Sequence, residues 1–165
     1  NGLDFGDRVA GGNSRIGTGS SPTRGVMAGS QTSPNKQIDF ITIATTGNSH
    51  DFGELTTIGN NAGGACSATR MVIGGRLDPN NPIDFLTIAT TGNAITFGDM
   101  TVPRSSFASM SDCVRGIFAG GDGSPAQFSE IDYVNIATTG DAVDFGDLPY
   151  DNQQTAGCSN GHGGL

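Results

Sequence analysis

The chain has 165 residues, 35% of them hydrophobic, and its 16 acidic and 8 basic residues give a formal net charge of −8. Lys36 is the only lysine and the arginines are dispersed. This argues against nucleic-acid binding, because a groove for nucleic acid needs clustered Lys and Arg to displace phosphate counterions. No apolar run approaches the ~18 residues that cross a bilayer, so we expect no membrane insertion.

A repeat of about 46 residues runs through the chain, and three sequence blocks recur in it in a constant order. The first block contains an arginine followed by an apolar strand, with the arginines Arg24, Arg70 and Arg115. The second block has the form Ile-Asp-Phe-x-x-Ile-Ala-Thr-Thr-Gly-Asn and begins at Ile38, Ile83 and Ile131. The third block is Asp-Phe-Gly-Asp or a variant of it, and its phenylalanines are Phe5, Phe52, Phe97 and Phe145.

The block that begins at Ile38 predicts a strand that is apolar on both faces. Ile38 and Phe40 point to one side of this strand, and Ile41 points to the other. A sheet with one face in water would alternate cleanly, so we expect neighbouring sheets to cover both faces. The Thr-Thr-Gly endings predict hairpin connections, with left-handed turn positions at Gly47, Gly92 and Gly140.

A further strand of small residues is expected in each repeat, near the crowded axis of the fold. The segments are 64–67, 108–113 and 156–159. Each repeat then contributes four strands. No stretch has apolar residues at helical spacing, and β-branched residues, glycines and turn pairs dominate, so we expect essentially no α-helix. The predicted fold is all-β: a β-propeller of four-stranded antiparallel blades, with about three and a half blades present.

The order of the blocks resembles the kelch motif, as the third repeat illustrates. That repeat has Arg104, the apolar strand 117–121 ending in two glycines, Tyr133, and then Phe145 before Leu148. Phenylalanine replaces the kelch tryptophan throughout, and Gly29-Ser30 replaces the double glycine in the first repeat. The resemblance implies a kelch-like propeller.

We expect one repeat array, divided into a partial blade 1–37, blades 38–82 and 83–130, and a truncated blade 131–165. A propeller needs at least four blades. The native polypeptide is therefore expected to continue on both sides as a larger propeller, and assembly from several copies is the alternative.

Residues 88–99 contain the motif Ile-Ala-Thr-Thr-Gly-Asn-Ala followed by Phe-Gly-Asp. This motif is similar to repeats of virion structural proteins and tail fibres of marine tailed phages. This resemblance implies a non-enzymatic virion protein, in a tail fibre or tail-associated part, that acts as a scaffold or binds a host receptor or surface glycan. Its partners would be other virion proteins, or further copies or segments of the same propeller. The alternatives are a bacterial cell-surface adhesion or scaffold module and, more distantly, a propeller hydrolase.

No cofactor, metal site or catalytic residue is predicted. The spacing of Cys66, Cys113 and Cys158 indicates that they occupy the same position in successive repeats. Equivalent positions on neighbouring sheets are about 10 Å apart, which is too far for a disulfide or a shared zinc. We expect buried free thiols. The recurring acids, which include Asp39, Asp84 and Asp132, can support catalysis or calcium binding, but acids repeated in every blade are better explained as turn caps.

The recurring arginines are expected to pair one blade with the next through a recurring acid, and His162 occupies the fourth equivalent position. The alternative is a ring of cations around an anionic ligand. Candidate ligand-binding residues lie in segments that differ between repeats, because recognition usually resides in such loops. These residues are Asn35, Asn80, Asn81, Asp122 and Gln127, which suit glycans, and simple solvated loops are the alternative.

Overall fold

The computed structural model describes residues 1–9, 16–30, 33, 35–75, 80–123 and 126–158. Within these ranges the chain forms twelve strands and no helix, so the all-β prediction is confirmed. It follows that the described part of the chain holds no helix of the length and apolarity that a membrane span needs.

The strands form three four-stranded sheets, and neighbouring strands in each are antiparallel and follow chain order. The first sheet contains β1 Gly17–Ser20, β2 Arg24–Ala28, β3 Gln37–Thr42 and β4 His50–Glu54. The second contains β5 Gly63–Cys66, β6 Arg70–Gly74, β7 Pro82–Thr87 and β8 Ile95–Asp99. The third contains β9 Ala108–Ser111, β10 Arg115–Asp122, β11 Gln127–Asn135 and β12 Val143–Asn152.

The first two strands of each sheet meet at a turn that a side chain caps. The backbone N–H of the arginine that opens the second strand donates to Ser21 Oγ, Ser67 Oγ or Asp112 Oδ1, at 3.1, 3.1 and 2.7 Å. Side-chain oxygens of this kind satisfy backbone donors that a tight turn leaves free. The arginine therefore begins its strand at the same point in every repeat.

Two hydrophobic cores lie between consecutive sheets. The middle sheet contributes Met71 and Ile73 to the core shared with the first sheet, and Val72 and Phe97 to the core shared with the third. It is thus covered on both faces, as its sequence predicted. The first and third sheets each bury one face in these cores, and the first strands β1, β5 and β9 run side by side.

Two local predictions need correction. Residues 156–158 are not a strand, although the corresponding residues form β5 and β9. Gly47, Gly92 and Gly140 have φ of 154°, 155° and 158°, far from a left-handed turn. Left-handed conformations occur elsewhere, for example at Asn61, Ser106 and Gln154, with φ of 61°, 56° and 56°. The divisions placed at residues 38, 83 and 131 each fall within the third strand of a sheet, β3, β7 or β11.

Candidate functional site: the interface between consecutive sheets

The Asp-Phe-Gly-Asp segment of one repeat binds the Thr-Thr-Gly loop that follows the third strand of the next sheet. We call residues 4–7, 51–54, 96–99 and 144–147 the DFG segments, and residues 45–49, 90–94 and 138–142 the TTG loops. Between the first two sheets, the Gly92 N–H donates to the Phe52 carbonyl at 2.7 Å and the Ala94 N–H to the Glu54 carbonyl at 2.8 Å. The Glu54 N–H donates to Asn93 Oδ1 at 3.1 Å.

The same three bonds recur at two further junctions. Phe97 and Asp99 accept from Gly140 and Ala142 at 2.9 and 2.8 Å, and the Asp99 N–H donates to Asp141 Oδ1 at 3.0 Å. At the start of the chain, Phe5 and Asp7 accept from the first TTG loop at 2.7 and 2.9 Å. The Asp7 N–H completes that set by donating to Asn48 Oδ1 at 2.9 Å. One hydrogen-bonding pattern therefore joins successive repeats.

The glycine of the DFG segment makes this contact possible. A Cβ atom on Gly6, Gly53 or Gly98 would lie 2.4, 2.4 or 2.2 Å from the carbonyl oxygen of Gly47, Gly92 or Gly140. Real Cβ atoms do not approach backbone this closely, so any side chain would separate the DFG segment from its loop.

The recurring arginines cross the same interface. Arg24 Nη1 donates to the carbonyls of Ile88 and Ala89 at 3.0 and 2.9 Å, and Arg70 Nη1 donates to those of Ile136 and Ala137 at the same distances. The prediction that a recurring arginine joins one sheet to the next is confirmed for Arg24 and Arg70, but the predicted acidic partner is wrong for these two, because their acceptors are carbonyls. Arg115 is exposed.

An aromatic pair supports each of these arginines. The guanidinium groups lie over the rings of Phe40, Phe85 and Tyr133, at 4.6, 4.4 and 5.2 Å from the ring centroids. Each of these rings makes an edge contact with the phenylalanine of its own DFG segment, with centroids 6.0 Å apart. A cation over an aromatic face is attracted by the ring quadrupole, so the stack fixes the arginine for its carbonyl acceptors.

Asp39, Asp84 and Asp132 are fully buried. As predicted for capping groups, Asp84 and Asp132 accept the backbone N–H of Thr56 and Thr101, which lie in bends, at 2.9 and 3.2 Å. Asp84 and Asp132 accept from the hydroxyls of Thr56 and Thr101, both at 2.6 Å, and each threonine follows the last strand of the preceding sheet. Asp39 pairs with Arg8 at 2.8 Å, and Asp132 also pairs with the buried Arg104 at 3.0 Å. These carboxylates tie one repeat to the next inside the protein. Each lies beside a β-bulge that shifts the register of the third and fourth strands.

Three other acids also accept backbone N–H bonds. Asp4 and Asp144 accept from the N–H of Gly6 and Gly146, at 3.1 and 2.9 Å. Asp112 accepts from the N–H of Arg115 and of Val114, and these two bonds hold the pKa of its carboxyl below the ordinary value of 3.8. Asp4 and Asp144 thus accept backbone N–H bonds as predicted, but Asp144 does so within β12 rather than in a turn.

The cysteines do not share one repeat position. The strand register places Ser20, Cys66 and Ser111 at equivalent positions, whereas Cys113 lies in the following turn with φ of 73°. The first strands are also closer than 10 Å, because Cys66 Sγ donates to the Ser20 carbonyl at 3.4 Å and Ser111 Oγ donates to the Cys66 carbonyl at 2.8 Å. Cys66 and Cys158 are free thiols, but Cys66 is only half-buried and Cys158 is exposed, so the predicted burial is wrong for both.

Of the predicted ligand-binding residues, Asn35, Asn80 and Asn81 lie in connections between second and third strands, whereas Asp122 ends β10 and Gln127 begins β11. Asn81 is buried and its Nδ2 donates to the Met100 carbonyl at 3.0 Å, and the Asn35 carbonyl accepts from Gly59 at 2.9 Å. Asn80 and Gln127 are exposed, and Asp122 pairs with Gln127 where β10 meets β11. Of the five residues, Asp122 and Gln127 are brought together by strand pairing. Glycan binding stays a prediction. His162 lies outside the described residues.

Among the described residues, no cluster of three or more His, Cys, Asp or Glu side chains could hold a metal ion. A cavity of ≈ 300 Å³ opens where the first strands meet, and it is lined by small and hydroxyl side chains, including Thr18, Ser20, Ser109 and Ser111. Sequence reasoning missed the close approach of the DFG segment to the next TTG loop. The recurring pair of glycines at a constant interval was the signal that could have indicated it.

No protein-family model matches the sequence, and no curated protein is significantly similar to it.

Proposed function

We propose that the chain is part of a kelch-like β-propeller and acts as a non-enzymatic structural protein of a phage virion, in a tail fibre or another tail-associated part. The observation that carries the proposal is the repetition of one interface. The same backbone bonds, the same glycine contact and the same arginine stack join successive sheets. Sheets that radiate from an axis and bury their faces against one another are the architecture of a propeller.

The chemistry of the described polar groups supports a structural role. An active site is normally a single asymmetric constellation in a pocket, with titratable groups whose pKa values are perturbed by burial or by partners. Here the buried carboxylates bind threonine or arginine side chains of the preceding repeat, and the arginines bind carbonyls. These groups hold the sheets together, so substitution of one carboxylate should change stability before it changes any activity.

The virion assignment rests on the resemblance of the Ile-Ala-Thr-Thr-Gly-Asn and Phe-Gly-Asp motifs to repeats of phage structural proteins. An antibody raised against the chain should label the tails of purified phage particles in electron microscopy. Mass spectrometry of the same particles should recover peptides from each repeat. Labelling confined to bacterial envelopes, with none on particles, would contradict the virion assignment.

A bacterial cell-surface adhesion or scaffold module is the second candidate, and the exposed polar side chains of Asn80 and Gln127 favour it. Both lie where connections differ between repeats, which is where recognition usually resides. A glycan array distinguishes the roles. Binding that is lost in the double variant Asn80→Ala and Gln127→Ala, with no labelling of particles, supports the cell-surface module. Polysaccharide turnover that one carboxylate substitution abolishes would contradict both non-enzymatic candidates.

A further inference from the structure

One cavity recurs at both junctions between consecutive sheets, beside the TTG loop. At each junction it lies between this loop, the end of the third strand and the DFG phenylalanine of the preceding sheet. The shared lining consists of Phe52 with residues 85–87, 90–93 and 95 at the first junction, and of Phe97 with residues 133–135, 138–141 and 143 at the second. The ranges of the second set lie 48 residues after those of the first. Both sheets of each junction belong to the described chain, so the cavity is a property of the junction itself.

Each cavity has an apolar floor and a polar rim. Phe52 and Leu86 are each 3% exposed and form the floor of the first cavity. Phe97 and Val134, which are 4% and 2% exposed, form the floor of the second. The threonines of the TTG loops line the rim and are exposed. An apolar base with a few polar groups is the usual form of a ligand-binding pocket, so the recurring cavity has the form of a binding site.

The threonine pair of the TTG loop is a recurring feature that the fold itself does not explain. The pairs are Thr45-Thr46, Thr90-Thr91 and Thr138-Thr139. Other recurring positions of the loop have structural roles, since Gly92 donates to the preceding sheet, Asn93 accepts from it and Ala94 is buried. Within the described part of the chain, the hydroxyls of the second and third pairs make no hydrogen bond to another residue. A hydroxyl both donates and accepts, so each pair can bind adjacent polar groups of a ligand.

The charge and the size of the cavity favour a small neutral ligand. The positions that the two cavities share hold no lysine or arginine, and Asp141 takes the place of Asn93 in the second. A phosphate, sulfate or carboxylate group would therefore lack a cationic partner. The first cavity has a volume of ≈ 180 Å³, below the roughly 300–1,000 Å³ of pockets for drug-sized ligands, which suits a single ring. The second has a volume of ≈ 440 Å³, and Val114 and Arg115 line it in addition.

We propose that each of these cavities binds one neutral hexose unit of a glycan. A pyranose ring has adjacent hydroxyls at its edge and C–H groups on its faces, so it matches a hydroxyl pair above an apolar floor. In the first cavity the sugar hydroxyls bind Thr90 and Thr91, and a face of the ring packs on Leu86. The equivalent residues do the same in the second cavity.

The proposed sugar sites are separate from the connections that differ between repeats. The cavities lie at the end of each third strand, whereas Asn80 precedes the start of β7 and Gln127 begins β11. The inference does not depend on where the protein acts, and so it goes beyond the proposed function.

Amide shifts in ¹H–¹⁵N NMR spectra of the 165-residue chain test the proposal, with glucose, galactose and mannose as separate probes. At least one of these hexoses should shift the amides of Gly92 and Gly140 together, because the two cavities share their lining. A few hydrogen bonds in an open site imply a Kd of about 1 mM or weaker, so each titration extends to about 50 mM. N-acetylneuraminic acid, an anionic sugar, should bind at least about tenfold more weakly, because the shared lining offers it no cation.

A paired substitution in one cavity uses the other cavity as its control. Thr90→Val with Thr91→Val removes both hydroxyls of the first cavity and keeps the shape of the side chains. The affinity read from the Gly92 amide should fall by about tenfold or more, from the loss of two hydrogen bonds, whereas that read from Gly140 should persist. Asn80→Ala with Gln127→Ala should leave both affinities unchanged, because these residues lie outside the cavities.

Dextran, galactan and mannan distinguish a glycan unit from a free sugar. A polymer of the hexose that binds should shift the same two amides, and a free hexose that binds while its polymer does not would overturn the glycan as the source. The absence of a shift at Gly92 and Gly140 with all three hexoses would overturn the proposal. So would a Gly92 shift that survives the loss of both threonine hydroxyls, or tighter binding of N-acetylneuraminic acid than of any neutral hexose.

Discussion

The glycine of the DFG segment is the residue on which the sheet junction most depends. Gly53 and Gly146 have similar backbone conformations, with φ of 147° and 136°. Only Gly53 is approached by a TTG loop. Substitutions at these two positions therefore distinguish the free-energy cost of a side chain at this φ from the cost of blocking the TTG loop.

Gly53→Ala should lower the free energy of unfolding by about 2–4 kcal/mol, since it adds a steric clash to backbone strain. Gly146→Ala should lower it by only about 1 kcal/mol, from backbone strain alone. Urea unfolding of both variants at a concentration where the chain is monomeric measures the difference. Equal losses would show that the TTG loop does not contact Gly53.

Arg104 is a buried cation whose loss should be costly. Its side chain is fully buried and lies 3.0 Å from the carboxylate of Asp132. Arg104→Met should destabilise the protein by about 3–5 kcal/mol, because it leaves a buried carboxylate without its charge partner. Adding Asp132→Asn should restore part of this loss. Chemical unfolding of the three variants completes the double-mutant cycle, and additive losses would contradict the pairing.

Asp112 should make the stability of the turn between β9 and β10 depend on pH, because its ionised carboxylate caps this turn. Backbone N–H groups of Arg115 and Val114 lower the pKa of its carboxyl below 3.8 in the folded state. A lowered pKa contributes stability that is present above the unfolded value and is lost as the pH falls through the folded value. The stability difference between the native chain and Asp112→Asn should therefore shrink as the pH falls below 3.8. A difference that is constant from pH 7 downwards would contradict this cap.

At the scale of the elements, the arginine that opens each second strand is structural only where a following sheet receives it. Arg70 binds two carbonyls of the third sheet, whereas Arg115 stacks on Tyr133 and is exposed. Arg70→Met should cost about 1–3 kcal/mol of stability, from two charge-assisted hydrogen bonds. Arg115→Met should change the stability of the monomer by less than about 0.5 kcal/mol. Equal effects in thermal unfolding would contradict the assignment of these bonds to the junction.

The strands were predictable because their blocks recur with strong local signals. Apolar residues on both faces of the third strand correctly indicated a sheet covered on both sides, as Met71 and Val72 show for the middle sheet. Spacing alone misplaced the cysteines, because the equivalent positions Cys66 and Ser111 are 45 residues apart, whereas Cys113 lies 47 residues after Cys66 and so falls in the turn beyond Ser111. The role of Asp84 was also unpredictable, since its partner Thr56 belongs to the preceding repeat and carries no charge.

At the scale of the whole molecule, stability comes from two nearly identical interfaces between nearest neighbours. In such an array each unit is stabilised by the units beside it, and the middle sheet packs against a neighbouring sheet on both faces. One contact, used repeatedly, therefore joins the three described sheets.

Residue-resolved amide hydrogen exchange tests the repeated junction most directly. The N–H groups of Gly92 and Gly140 lie in loops, yet they donate to carbonyls of the preceding sheet at 2.7 and 2.9 Å. These two amides should exchange at least about tenfold more slowly than the amides of neighbouring loop residues that lack such partners. If both exchange as fast as free loop amides while the amides paired between strands stay protected, the DFG segments and TTG loops do not join the sheets.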